Sequence, residues 1–448
     1  MPVNMRGMTT AAQPDPPKLV RAIGRWDLTA AIVNGVIGSS IFGMPDDIAR
    51  LCGVLSPLAY LLAGIGILAI VLSFAEVASR FDQAGGPYLY ARAAFGPLVG
   101  FQAGWLTFWI RTTAVAANLN VFVDYLAQTW AWAGTAIGGA VVMLAVMSVI
   151  TTINIIGVRQ ATWAIDLFTV AKLLPLLLLV LIGLPFVRGD VVATQAVAAP
   201  QWREAILLLV FAYGGFETPL LAAGEARRPQ RDSAFALLTA LAVIAGVYML
   251  VQVAVAGLVP GVATSRAPIA AAFQVLIGPA GVLLASVAAM VSVYGWATGS
   301  VLHTPRLLFA MSERGELPRV FARVHAQFRT PVVAILTYAV LSLALALYGR
   351  LQPEGGFQWN AVISAIVRLV TYGLTCVALI VFRRGAASAA APFFRAPAGT
   401  VVAAAATMFC LWLLVTRSWA YTGLLLAFMA LGLLLWWPSR RASAVAQV

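Results

Sequence analysis

Runs of about twenty apolar residues, divided by charges, glycines and prolines, succeed one another from Leu28 almost to the end of this chain, and each is long enough to cross the hydrocarbon of a bilayer as a helix. That succession excludes a water-soluble globule. Of 448 residues, 62% are hydrophobic and 10% charged, the mean hydropathy is +0.92, and too little polar surface remains to cover an exterior facing water. In lipid every backbone polar group must be satisfied internally, so the expected fold class is an all-α membrane protein. The boundaries of the runs predict helices near 27–50, 54–80, 98–128, 134–157, 163–187, 203–223, 234–258, 280–311, 331–348, 360–382, 398–416 and 419–437, twelve in all.

Twelve spans place both termini on one side of the membrane, and basic loops are retained in the cytoplasm. With the N-terminus on that side, 20 of the 29 Lys and Arg residues face it, among them Arg6, Lys18, Arg21, Arg25, Arg159, Arg227, Arg383 and Arg384, while six, including Arg417, face the other side. Both termini are therefore expected in the cytoplasm of a cell whose inner membrane holds the protein. The net charge of +13 reflects this bias and suits anionic lipid headgroups rather than nucleic acid. The organisation is a tail over 1–26, a transmembrane domain over 27–437 and a second tail over 438–448. No short apolar core precedes a small-residue cleavage site in the first tail, so no removable signal peptide is expected.

The stretch "GVIGSSIFGMP", residues 35–45, falls inside the first span. Small residues in membrane helices let neighbours pack closely, and that is one reading of Gly35, Gly38 and Gly43. The other is a break at membrane depth, tolerated only where protein or a watery cavity surrounds the backbone. The amides of Gly38, Ser39 and Ser40 would then favour a carboxylate, and carbonyls ending the first half-helix an ammonium or a cation. The sixth span carries a second interruption, Gly214, Gly215 and Pro219 in "LLLVFAYGGFETPLLAAGE". Two Gly-interrupted helices five spans apart favour the break, since corresponding breaks in two inverted halves mark a midplane site in secondary transporters.

The segments "NGVIGSSIFGMP", "FAEVASRFDQAGGPYLYARAAFGPLVGFQAGW", "FAYGGFETPLLAAGEARRP" and "RLLFAMSERGELPRVFARVHAQFRTPVVA" follow the order and spacing of amino acid permeases, and from about Asp27 to the last helix the chain resembles the amino acid-polyamine-organocation (APC) superfamily. The resemblance implies the leucine-transporter fold, ten helices in two inverted five-helix repeats plus two peripheral ones, with helices one and six broken. It implies a small-molecule amino acid substrate held by Val36, Gly38, Ser39, Ser40, Ile41, Phe211, Gly214 and Trp296. Carbonyls near Val36, Phe211 and Gly214 would take the ammonium, and the Phe211 ring would cover the substrate as a gate. The family's Gly-Ser-Gly is departed from at Ser40, which stands where Gly is usual. In several family members a lysine of helix five replaces a sodium ion, contacting the unwound first helix and a hydroxyl of helix eight. Lys172 stands at that position, with Ser292 as the hydroxyl, which implies proton coupling.

Independently of the resemblance, Lys172 lies about ten residues, or roughly 15 Å, into its span, farther than a lysine stem reaches to water. Glu217, just after the second break, either orders the unwound backbone or takes a proton. Arg111 and Arg368 are also ionisable groups inside spans, which face a cavity or a partner; they either pair with neighbouring acids or meet an anionic substrate. Glu76 and Asp27, near helix ends, are expected to be gate or loop partners. Cys52, Cys376 and Cys410 are scattered in or near apolar runs and serve packing, and His303 and His325 show no metal spacing; no cofactor or metal is implied.

No His/Ser/Asp grouping suits an intramembrane hydrolase, so an enzyme is not expected. An exchanger or facilitator, a polyamine carrier, a channel and a non-transporting sensor remain alternatives to proton-coupled import. Thr112, Phe216 and Trp296 as walls favour a neutral or aromatic substrate over a basic one, while Arg111 keeps an acidic one open. The sequence leaves the oligomeric state open.

Overall fold

A computed structural model describes residues 24–81, 85–157, 161–220, 228–387, 390–415 and 419–445. Arg6, Lys18, Arg21, Arg159, Arg227 and Arg417, with most of the first tail and the end of the second, lie outside the described residues.

All regular structure among the described residues is helical. The first half of the chain forms α1 (Arg25–Val36), α2 (Ser40–Gly43), α3 (Pro45–Cys52), α4 (Ser56–Ala78), α5 (Gly86–Phe95), α6 (Pro97–Leu126), α7 (Ala136–Ile156), α8 (Ala161–Gly183) and α9 (Gly189–Ala193). The second half forms α10 (Trp202–Ala212), α11 (Glu217–Leu220), α12 (Pro229–Leu258), α13 (Pro268–Ile277), α14 (Pro279–Glu313), α15 (Val332–Gly349), α16 (Gly356–Arg383), α17 (Gly399–Val415) and α18 (Trp419–Val445).

Each of the twelve predicted runs is helical, but the first and sixth are not single helices. The first divides into α1, α2 and α3 and the sixth into α10 and α11. Among the described residues seven stretches are long and apolar enough by themselves to cross a membrane, 45–78, 136–156, 230–258, 279–313, 332–349, 356–383 and 419–440, with shorter apolar helices at 172–186, 268–277 and 399–415. The 30-residue α6 has its apolar character diluted by buried Gln102, Arg111, Asn118 and Asn120. Short helices α5 and α13 were not anticipated from hydropathy.

Local chemistry sets the ends. Thr135 caps α7 by accepting the Gly138 amide at 3.0 Å, and Gly157 closes it in the left-handed region at φ 74°. Buried carboxylates then tie connections to helices. Glu76 on α4 accepts from Arg383 Nε and Nη2 at 2.9 and 2.5 Å, from the Ala396 amide at 2.8 Å and from Arg80 at 3.2 Å. Glu316, just beyond α14, accepts from Arg92 at 2.5 Å and from Tyr88 at 3.1 Å, which fastens α5. At the surface, the exposed Asp27 accepts the Gly24 amide at 2.9 Å and closes the start of α1.

The long helix α6 packs along α16, α14 and α15, while α4 packs against α12 and α17. Between these groups run the interrupted helices: α1 against α12 and α11, and α10 against α16 and α4. The two breaks are thereby held inside protein, the condition under which non-helical backbone survives at membrane depth.

Candidate functional site

The first break begins where Ile37 turns to extended backbone, φ −71° and ψ 96°, after its amide makes the last α1 bond to Val33. Carbonyls ending a helix carry partial negative charge and lack amide partners. Here side chains from three other helices supply them. Lys172 Nζ on α8 donates to Asn34 O at 2.6 Å and Ile37 O at 2.8 Å. Trp296 Nε1 on α14 donates to Gly35 O at 3.1 Å. Tyr248 Oη on α12 lies 3.3 Å from Val36 O. Beyond the carbonyls, Gly38 presses on the Trp296 indole, where an added Cβ would stand 3.3 Å from Cδ1. Among the described residues no hydrogen bond leaves the amides of Gly38 and Ser39, and the buried Ser39 hydroxyl has no partner.

The second break spans Tyr213–Phe216, with Gly215 at φ 116°, a conformation open to glycine and strained for other residues. A Cβ on Gly215 would stand 2.5 Å from Gly35 O, so the two breaks touch. Tyr248 joins them: besides Val36 O, its hydroxyl lies 3.2 Å from Ala212 O and 3.1 Å from Ser40 Oγ. A hydroxyl has one proton to donate, so it serves one carbonyl at a time and accepts from Ser40. Gln252, one helical turn further along α12, donates to Pro45 O at 3.1 Å and Ser56 Oγ at 3.0 Å.

Charge gathers around Glu217. Its Oε2 accepts from the Gly215 amide at 2.9 Å and from Tyr372 at 2.8 Å. Its Oε1 accepts from Arg111 Nη2 at 3.4 Å and stands 4.0 Å from Arg368 Nε. The Arg368 guanidinium also caps α10, with Nη1 3.1 Å from Phe211 O and 3.4 Å from Val210 O. It occupies the space that the missing Gly214 side chain leaves: a Cβ there would fall on Nη1. Arg111 completes the arc, its guanidinium 5.7 Å from the centre of the Trp296 ring.

The structure thus brings Val36, Gly38, Ser40, Phe211, Gly214, Trp296, Glu217 and Lys172 into one neighbourhood. Three expectations meet a different geometry. The Phe211 carbonyl, expected to take a substrate ammonium, receives Arg368 and the Gly214 amide, the latter at 3.1 Å. Ser292, expected beside Lys172, is buried with no hydrogen-bond partner for its hydroxyl. Ile41 is packed in the core at 1% exposure. Of the expected walls, Thr112 returns its hydroxyl to Phe108 O within α6 at 2.8 Å, and Phe216 stacks edge-on against Phe74. Tyr248 and Gln252 were missed. Their signal was present, two hydrogen-bonding residues four apart in an otherwise apolar span, which share one helix face.

Comparison with known proteins places this geometry in context. The family model described as "Amino acid permease" matches residues 23–438. The chain is similar to the "Serine/threonine exchanger SteT" of Bacillus subtilis (strain 168), 29% identical over 341 residues that cover 73% of this chain and 77% of the relative. It is similar to the "Methylthioribose transporter" of the same organism, 26% identical over 427 residues and 90% of each chain. The "Branched-chain amino acid permease BcaP", also of Bacillus subtilis (strain 168), is 25% identical over 467 residues, covering 96% of this chain and 95% of the relative.

Proposed function

The chain belongs to the amino acid permease family, and on that premise we propose that it imports an amino acid by alternating access, driven by protons. It is an amino acid transporter of the APC superfamily, multi-pass and not an enzyme; the direction, the coupling ion and the binding residues are the proposal. The fold proposed is the leucine-transporter arrangement, twelve spans with two inverted five-helix repeats, as residues 27–437, with both tails cytoplasmic.

The observation that carries the coupling is the Lys172 ammonium on the Asn34 and Ile37 carbonyls. A buried cation needs partners, and these two are the carbonyls at the break of α1. Protonated Lys172 ties α1 to α8; when the proton leaves, the charge that strengthens both bonds is lost, the two remaining N–H groups hold the carbonyls more weakly, and α1 is freer to swing. Glu217 belongs to the same network through the Gly215 amide, while Ser292 would join it in another conformation. Substrate binds against Gly38, Ser39 and Ser40, between the Phe211 and Trp296 rings.

Purified protein in liposomes tests this. Uptake of an amino acid should follow an inward proton gradient and ignore sodium, and the decarboxylated amine of the same substrate should neither compete nor enter. Sodium dependence, or amines that compete equally, would overturn the reading. A second reading is obligatory exchange, favoured by the similarity to a relative named an exchanger; uptake that requires internal substrate and persists without a pH gradient would establish it.

A further inference from the structure

The carbonyls around the two breaks are already engaged. Asn34 and Ile37 serve Lys172, Gly35 serves Trp296, and Val36 and Ala212 share Tyr248. The Phe211 oxygen accepts from both Arg368 and the Gly214 amide, and a carbonyl has two lone pairs. That leaves the shared Val36 and Ala212 oxygens to take the α-ammonium that every amino acid carries, and no carboxylate among these acceptors for a second, side-chain cation. Donors and positive charge, by contrast, are in excess. Lys172, Arg111 and Arg368 are buried at 3%, 7% and 2% exposure, and among the described residues Glu217 is the carboxylate that pairs with any of them. Arg368 Nε is buried with no hydrogen-bond partner, and its closest approach to Glu217 is 4.0 Å. Two permanently charged guanidinium groups, joined by Lys172 whenever it is protonated, against one carboxylate in a low-dielectric interior are strongly disfavoured unless further negative charge arrives.

We infer that the substrate supplies that charge: it is an acidic amino acid, and its side-chain carboxylate is received by Arg368 together with Arg111. This rests on the reading of the chain as an amino acid carrier and narrows it. A neutral amino acid enters as a zwitterion and leaves the excess unchanged, whereas aspartate or glutamate adds one negative charge. A planar guanidinium matches a carboxylate with two parallel N–H donors, and Arg368 Nε is a donor that no acceptor yet satisfies. Glu217 holds both guanidinium groups through one oxygen, Oε1, at 3.4 and 4.0 Å, loose contacts that leave both with donors for a second carboxylate.

The test is thermal stabilisation and competition for uptake, using full-length protein with L-glutamate and L-aspartate beside their neutral isosteres L-glutamine and L-asparagine. Hydrogen bonds to charged groups are worth about ten- to a hundredfold in affinity, so each acid should bind about tenfold or more tightly than its amide. Arg368→Gln should erase that ratio and Arg368→Lys should retain part of it. Glutamine or asparagine binding as well as the acids overturns the inference and leaves the carrier reading standing. No stabilisation and no uptake with any amino acid overturns the carrier reading itself. Should Arg368→Gln not fold, the wild-type ratio and its loss in Arg111→Gln decide the matter.

Discussion

The Nζ of Lys172 lies 2.8 Å from the carbonyl oxygen of Ile37, the residue at which α1 stops being a helix. The two are 135 positions apart in sequence, and a second bond to Asn34 makes the contact a bracket around the final turn. A cation at the carbonyl end of a helix is favoured by the helix dipole, so this bracket favours the broken form of the first span.

Replacing that group by one that cannot ionise separates holding from switching. Lys172→Gln keeps an amide donor and removes the proton. Accumulation against a gradient should be lost, while exchange of internal for external substrate persists at reduced rate. Uptake into liposomes with and without an inward pH gradient measures both; undiminished proton-driven accumulation would sink the role assigned to Lys172.

Tyr248→Phe removes one hydroxyl and with it the tie between Val36, Ala212 and Ser40. The ring stays, packed against Tyr60 and Tyr213, so folding should be nearly intact. A net hydrogen bond contributes about 1 kcal/mol, so the apparent affinity for substrate should fall about fivefold. The measurement is substrate KM in liposomes beside the melting temperature. An unchanged KM would mean that the hydroxyl does not position the breaks.

Hydropathy alone delimits most of the helices, because a membrane span must be apolar for a fixed length: 54–80 becomes α4 at Ser56–Ala78 and 331–348 becomes α15 at Val332–Gly349. Glycine content marks both breaks, since Gly215 adopts a φ that other residues resist. Partners across the fold were less legible. Nothing local tells that Arg368 would settle on the Phe211 carbonyl 157 positions away, or that Gly214 is small to admit a guanidinium rather than a substrate. The helices α5 and α13 were overlooked because each is 10 residues long, too short for a search tuned to bilayer thickness.

Glu217→Gln tests the charge balance. It leaves Arg111 and Arg368 without a carboxylate while preserving an acceptor for the Gly215 amide and Tyr372. Breaking a buried ion pair by neutralising one partner costs about 3 to 5 kcal/mol, so the variant should melt well below wild type. An acidic ligand should restore part of the loss. A melting temperature equal to wild type would show that the two guanidinium groups find compensation elsewhere.

Gly214→Ala is the sharpest test of the geometry. The added methyl would fall on Arg368 Nη1, and the guanidinium has little room to retreat because two carbonyls of α10 hold it on one side and Glu217 stands on the other. Overpacking of this kind costs about 1 to 3 kcal/mol in a close-packed interior, and displacement of a buried cation from its acceptors adds to that. Removing the obstruction with Arg368→Ala should reverse the penalty: the double variant should be more stable than the two single losses added together, since residues in contact are energetically coupled. Melting of the four proteins in the cycle gives the coupling directly. Additive losses would mean that Arg368 does not occupy the Gly214 gap, and Gly214 would then owe its size to the backbone of the break or to the substrate.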